Sequence, residues 1–247
     1  MTQLYKLQEK IWRHIFDHED QLGISNTLLC GGTALARFYL NHRVSYDLDF
    51  FVPSAFNPEE LRSQLKKIGL ELQDAHLEGG GQYCKQLKGI IRYGQQAVKV
   101  DFIEDIYEGM FDTVTKEGAR TESIDGLYHR KIRTVSGMFL KDGSIKDGRQ
   151  TARDIFDLYV LGQSIESLNS FIDRINNHGA NIPIDGTIKG ILTMPWIELL
   201  DEFSELDRLD LWKMCELRDV KIYLGRELTE LQKLKDLEDS HESTFTS

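Results

Sequence analysis

The chain is poor in cysteine, in proline, in net positive charge and in long apolar runs, and each shortage closes off a class of protein. Its 247 residues include three cysteines, Cys30, Cys84 and Cys215, odd in number and without a Cys-x-x-Cys spacing. A disulfide scaffold and a structural zinc site are therefore not expected, and each thiol reads as a small buried apolar group. The four prolines, Pro53, Pro58, Pro183 and Pro195, punctuate elements, the first ending a strand and the second opening a helix. No apolar run is long enough to span a bilayer, and the opening MTQLYKLQEKIWRHIF reads as an amphipathic helix, not as a signal peptide. The expectation is a cytoplasmic protein with no membrane partner. Thirty Lys and Arg against forty Asp and Glu leave a formal charge of −10. Any nucleic-acid contact must then come from a local basic patch.

What is present is the composition of an ordinary globular protein, 40% hydrophobic and 28% charged, with length for one large domain or two small ones. The informative stretch is LLCGGTALARFYLNHRVSYDLDFFV, residues 28–52. An apolar strand runs into Gly31-Gly32, a helix follows over Thr33 to Leu40, and a second strand covers Tyr46 to Val52. Asp47 and Asp49 alternate with Leu48 and Phe50, which puts both carboxylates on one face of that strand. Paired carboxylates suit Mg²⁺, which prefers oxygen donors and keeps positions open for water and phosphate. Gly31 and Gly32, with Thr33 as a helix N-cap, would let backbone N–H groups approach a triphosphate.

The double glycine, the hydroxyl residue, the helix and Asp-x-Asp resemble the nucleotide-binding signature of polymerase-beta-type nucleotidyltransferases. The fuller string, Gly-Gly-Thr-Ala-Leu, His42-Arg43, Ser45 and Asp47-Leu48-Asp49-Phe50-Phe51, resembles the AbiEii/AbiGii toxin branch of that superfamily. Val98 to Ile103 reads as a strand with Lys99 and Asp101 on the face opposite Val98, Val100 and Phe102. By itself Asp101 is either a metal ligand or a solvent-facing charge; the resemblance makes it the family's third acidic residue. Arg153-Asp154-Ile155-Phe156-Asp157-Leu158-Tyr159 resembles the second signature of the family, which also implies an upstream lysine on the nucleotide phosphates. Lys131 matches that lysine, and Lys141, in a Lys141-Asp142-Gly143-Ser144 turn that lengthens the usual interval, competes for the role. Asp154 and Asp157, at i and i+3, share a helical face, where one would orient a basic partner and the other brace the fold.

Elsewhere the chain predicts a helix over Leu4 to Leu22, with His14 and His18 as surface histidines, and another over Glu59 to Ile68. Strands are expected over Leu70 to His76, Tyr83 to Ile91 and Ala97 to Ile103, with Gly79-Gly80-Gly81 as a hairpin turn. After Asp105 no strand is expected. Helices follow, including Ile165 to Ile175, Thr187 to Leu200 and Leu209 to Leu224, with Trp196 and Trp212 in core packing. The fold class is α+β: a nucleotidyltransferase domain over 1–115 with a small mixed sheet flanked by helices, a helical domain over 116–240 and a disordered tail over 241–247. Arg130, Arg133 and Arg149 form the local basic run that the charge balance asks for, readable as an RNA-binding surface or as a solvated helix face.

The resemblance implies a metal-dependent enzyme that transfers a nucleoside monophosphate from an NTP, releasing pyrophosphate. Asp47, Asp49 and Asp101 would hold two Mg²⁺ ions, with Mn²⁺ as a substitute. Asp101 would serve as general base, and Gly31, Gly32, Thr33, Lys131, Arg153, Asp154 and Asp157 would bind the nucleotide. It further implies the toxin of a bacterial toxin-antitoxin or phage-defence pair, a separately encoded antitoxin as partner, and the 3′ end of transfer RNA as acceptor. The alternatives are a catalytically silent nucleotide-binding scaffold and nucleotidylation of a protein hydroxyl.

Overall fold

The computed structural model describes residues 3–53, 56–80, 83–139, 145–146 and 148–245. The chain divides into two compact units. One comprises Met1–Tyr39 and Ser45–Leu127, the other Leu40–Val44 and Tyr128–Ser247.

The first unit opens with α1 (Gln3–Asp17), whose buried Leu7, Ile11, Trp12 and Ile15 recur at helical spacing. The short α2 (Glu19–Leu22) follows, so the single helix expected over this stretch breaks at His18, and Gly23 in the left-handed region closes it. His14 and His18 bond to the backbone oxygens of Ile68 and His14. Strand β1 (Leu28–Cys30) leads into α3 (Gly31–Leu35), which continues as a π-helical turn over Ala36–Leu40. Arg37 on that turn is sunk beneath the surface, its guanidinium bonded to Glu9, Glu117 and the Tyr5 carbonyl and lying 4.3 Å over the Trp12 ring. It fixes the helical segment to α1 and so fixes the direction in which the glycines enter.

Next come β2 (Asp47–Val52), α4 (Pro58–Lys67), β3 (Gln73–Gly80), β4 (Tyr83–Tyr93) and β5 (Gln96–Glu104). Asn57 caps α4 by accepting from the Glu59 and Glu60 N–H groups, with Pro58 at the first turn. The strands form one mixed sheet in the order β1-β2-β5-β4-β3, in which only β2 and β5 run parallel. Gly79, with a positive φ beside the Cys84 carbonyl, and Gly80 lie within β3 and not in the turn expected of them, so the strand expected over Leu70 to His76 starts later and runs on to Gly80, which pairs with Tyr83 of β4. Gly81 lies outside the described residues. Inward residues such as Leu48, Phe50, Val100 and Phe102 join the α1 face in the core, with the Phe50 and Phe102 rings stacked 5.2 Å apart.

Contrary to the expectation of no strand after Asp105, β6 (Thr113–Lys116) and β7 (Ala119–Glu122) form a hairpin. Its turn residues, Glu117 and Gly118, both have positive φ. Such a turn is usually announced by Asn-Gly or Asp-Gly, and Glu-Gly with few apolar neighbours gave no comparable signal.

Helix α5 (Ile124–Ser136) carries the chain into the second unit, followed by the paired β8 (Met138–Phe139) and β9 (Ile145–Lys146). The Lys141 turn between them lies outside the described residues. The helices α6 (Ala152–Ser164), α7 (Leu168–Asn176), α8 (Ile184–Leu192), α9 (Glu198–Ser204) and α10 (Leu217–Phe245) complete the α+β fold. The helix predicted over Thr187 to Leu200 is two, α8 and α9, interrupted where Pro195 removes a donor. That predicted over Leu209 to Leu224 is a 3-10 turn, Asp210–Met214, followed by the start of α10. Trp212 packs edge-on to Phe156 and Tyr159, and Tyr128 stacks on Phe171 at 4.1 Å. Trp196 is half-buried under the Lys221 ammonium. Gly162 is obligatory, since a Cβ there would overlap the Tyr223 ring. Among the described residues, no helix is long and apolar enough to cross a membrane.

Candidate active site

In the first unit, three stretches far apart in sequence meet at the β1, β2 and β5 strands. Cys30 opposes Asp49 across the antiparallel β1–β2 pair, and Asp49 opposes Asp101 across the parallel β2–β5 pair, with Asp47 opposite Lys99 one step along. Because strand side chains alternate in direction, Asp47, Asp49, Lys99 and Asp101 all emerge on one face, and Leu48, Phe50, Val100 and Phe102 point into the core.

Gly31 takes a φ of 69° at the strand-to-helix corner, and the space where its Cβ would stand is filled by the Asp49 carboxylate. Only glycine combines that backbone with that neighbour. The glycine therefore does two things: it turns the chain and it lets the backbone at its Cα lie directly against a carboxylate. Thr33 does not cap the helix. It lies inside α3, buried, and its hydroxyl donates to the Asp47 backbone carbonyl, so it staples the helical segment to the start of β2.

Asp101 is only 5% exposed. Its Oδ2 accepts from the Lys99 ammonium at 2.8 Å, and its Oδ1 is buried with no hydrogen-bond partner among the described residues. Burial disfavours the charged form of Lys99, but the Asp101 hydrogen bond and the charges of Asp101, Asp47 and Asp49 outweigh it and raise its pKa. Among the described residues, no three His, Cys, Asp or Glu side chains already converge on a point that could hold a metal ion. The donors nevertheless suit a hard divalent cation: carboxylates on one face of adjacent strands, one of them with a buried oxygen that has no hydrogen-bond partner among the described residues.

The second unit holds a different ionic group. Asp157 on α6 is completely buried and accepts from Arg43 Nε at 2.6 Å, Arg43 Nη2 at 2.8 Å and His42 Nε2 at 2.7 Å. Lys131 on α5 bridges it to Asp154, at 2.7 Å and 2.8 Å. Asp154 also receives Arg149 through two bonds and the Thr151 hydroxyl at 2.6 Å. Burial alone would raise both carboxyls; the charges of Arg43 and Lys131 on Asp157, and of Lys131 and Arg149 on Asp154, override it and hold both well below the usual carboxylate range. At His42 burial wins, lowering the imidazole pKa against the opposing pull of Asp157. The segment carrying His42 and Arg43 is also tied by its backbone, Val44 N–H to Asp207 O and Leu209 N–H to His42 O, both at 2.8 Å.

Of the basic run, Arg130 is buried, Arg133 and Arg153 are half-buried and Arg149 is exposed. The sequence marked Lys131, Asp154 and Asp157 but gave no sign that His42 and Arg43 are their partners. Lys99 went unassigned as well, although its place two residues before Asp101 on a strand puts both on one face.

The mixed sheet thus carries a glycine corner packed on an Asp-x-Asp strand and a third aspartate on the neighbouring parallel strand. The family model for the nucleotidyl transferase AbiEii toxin of type IV toxin-antitoxin systems matches residues 15–213. The chain belongs to that family, and is thus a nucleotidyltransferase toxin of a toxin-antitoxin system acting on a nucleotide substrate. Two solved structures share the fold. A candidate nucleotidyltransferase from Helicobacter pylori is 21% identical, with a TM-score of 0.55 over 96% of this chain and 99% of its own. JHP933 from Helicobacter pylori is 20% identical, with a TM-score of 0.53 over the whole of both chains. MenT4, a nucleotidyltransferase toxin from Mycobacterium tuberculosis, aligns at 15% identity and a TM-score of 0.40, covering 92% of this chain and 83% of its own. No curated protein sequence matches the chain.

Proposed function

We propose that the first unit is the catalytic module and that it transfers a nucleoside monophosphate from an NTP to the 3′-hydroxyl of transfer RNA, releasing pyrophosphate, in a metal-dependent reaction. The observation that carries this reading is the pairing of Asp49 with Asp101 on adjacent parallel strands, with the Gly31 backbone pressed against Asp49.

Asp47, Asp49 and Asp101 would hold Mg²⁺ or Mn²⁺, which would supply Lewis-acid stabilisation of the charge building on the phosphoryl oxygens. The Gly31 and Gly32 N–H groups bind phosphate oxygens, and their fixed direction means little reorganisation is needed as charge develops. Asp101 accepts the proton of the attacking hydroxyl; its Oδ1 has no hydrogen-bond partner among the described residues. Thr33 acts through the backbone, keeping the Gly31 corner in register with Asp47. Lys131, the match to the family's phosphate-binding lysine, is held by Asp154 and Asp157 in the second unit. Arg153, half-buried at the start of α6, is a second phosphate partner under this reading.

Arg133 and Arg149 are the parts of the basic run that solvent reaches and that would meet acceptor phosphates. The cellular setting that goes with this reading is the cytoplasm, with a cognate antitoxin as regulatory partner. The test is incubation of purified protein with each of four α-labelled NTPs, Mg²⁺ and total transfer RNA, with and without EDTA. Label should enter RNA from one nucleotide and require the metal. Label entering protein would replace the RNA acceptor with a protein hydroxyl. Nucleotide binding without any transfer would make the protein a scaffold.

A further inference from the structure

Lys99 stands inside the group of carboxylates that the reaction needs. It is on the same face of β5 as Asp101 and directly opposite Asp47 on β2. Its ammonium bonds Asp101 Oδ2 at 2.8 Å and acts electrostatically on Asp47 and Asp49. Three carboxylates on one face repel one another, and a single ammonium among them lowers that repulsion without closing a chelate. The bonding is also incomplete: Asp101 offers one oxygen to Lys99, and its other oxygen is buried with no hydrogen-bond partner among the described residues. A divalent ion could satisfy both needs at once. The two ends of the ion pair differ in mobility. Asp101 has a side chain 8% exposed on a central strand, whereas that of Lys99 is 45% exposed on a flexible four-carbon stem and can move into solvent.

We propose that Lys99 is an intramolecular counter-cation of this carboxylate set, and that a divalent cation binds by displacing its ammonium from Asp101. This rests on the metal-binding reading of Asp47, Asp49 and Asp101. Lys99 is thereby a positioning residue that sets the cation concentration at which the site fills. It keeps Asp101 compensated until the ion arrives, and it must give up its bond when the ion takes that oxygen. The same charge that stabilises the resting site opposes a second cation beside it, so removing the charge must tighten metal binding, although it also removes a hydrogen bond.

The test is direct titration of the full chain with Mn²⁺ without nucleotide, read by electron paramagnetic resonance of free Mn²⁺ or by calorimetry. Wild type is compared with Lys99→Gln, Lys99→Arg and Asp101→Asn. Lys99→Gln should bind Mn²⁺ about tenfold more tightly, as expected for removing one positive charge a few ångströms from a divalent ion near the surface. Lys99→Arg, which keeps the charge, should bind as wild type does. Equal or weaker binding by Lys99→Gln, or an equal gain by Lys99→Arg, would overturn the proposal while Asp101→Asn still reports a metal site by losing affinity. If wild type and Asp101→Asn alike bind no Mn²⁺, the metal reading itself fails and takes this inference with it.

Discussion

Asp101 in the first unit and Asp157 in the second are both almost wholly buried, yet their oxygens are treated differently. Asp157 is saturated by Arg43, His42 and Lys131, which leaves it no capacity for a ligand unless a partner departs. Asp101 has one lysine on one oxygen and, among the described residues, no hydrogen-bond partner on the other. A buried charge that is fully compensated holds a fold together, and removing a partner leaves an uncompensated ion that costs several kcal/mol. A buried charge left partly uncompensated is a cost the fold bears, and such sites are where ligands and chemistry are expected. Burial alone would not have separated these two aspartates; their partners do.

The comparison breaks most visibly at Asp49. Asp49→Asn keeps the volume beside Gly31 and should lower transfer by a hundredfold or more, on the order of 3 kcal/mol of transition-state stabilisation, with an unchanged urea unfolding midpoint. Asp157→Asn should do the opposite first, lowering the unfolding free energy by about 3 kcal/mol or more, because Arg43 and Lys131 lose their shared countercharge. Gly31→Ala tests the corner itself. A Cβ there both strains a φ of 69° and displaces the Asp49 carboxylate, so it should cost about 1 to 3 kcal/mol in stability and reduce transfer further than the stability loss accounts for.

Acid sharpens the contrast within the second unit. His129 is buried, and burial first, with the nearby Arg133 and Arg130 charges, lowers its pKa from 6.5 to about 3. His42 is lowered too, mainly by burial. Below pH 6.5 the unfolded chain takes up protons that the folded chain refuses, so stability falls as pH drops. The slope is about 1.4 kcal/mol per pH unit for each such histidine while the folded form stays neutral. Asp154 and Asp157 add loss of the same sign below about pH 4, since their depressed folded pKa values leave the unfolded carboxylates as the first to protonate. Urea midpoints that hold level between pH 7 and pH 5 would refute the burial account of both histidines. The smallest effect concerns RNA: Arg133→Ala should weaken binding modestly and reduce the salt dependence of affinity by about one unit of slope.

Much of the site could be read from residue order, because its logic is local. Gly31-Gly32 and Asp-x-Asp lie within twenty residues, and period-2 alternation fixed which face Asp47, Asp49 and Asp101 occupy. The α+β class followed from strands giving way to helical periods. What remained hidden was nonlocal or atypical. The Arg43–Asp157 pair spans 114 residues and joins two signatures that sequence order presents as separate. The Glu117-Gly118 turn and the short strands beside it carry too little periodicity to stand out. Thr33 looked like a helix cap because hydroxyl residues favour that position, yet the helix starts two residues earlier and the hydroxyl is bound elsewhere. Lys99 was visible as a strand residue, but its pairing with Asp101 depends on a rotamer that alternation does not determine.

The most direct test sets Asp49→Asn and Asp157→Asn side by side, measuring transfer rate and urea midpoint on the same preparations. If the first unit's acids perform the chemistry and the second unit's acids hold the fold, Asp49→Asn loses transfer at a wild-type midpoint and Asp157→Asn unfolds at clearly lower urea. Asp49→Asn keeping more than about a tenth of wild-type transfer would contradict the account, given the several kcal/mol that a metal-binding carboxylate supplies. So would Asp157→Asn abolishing transfer with its midpoint unmoved.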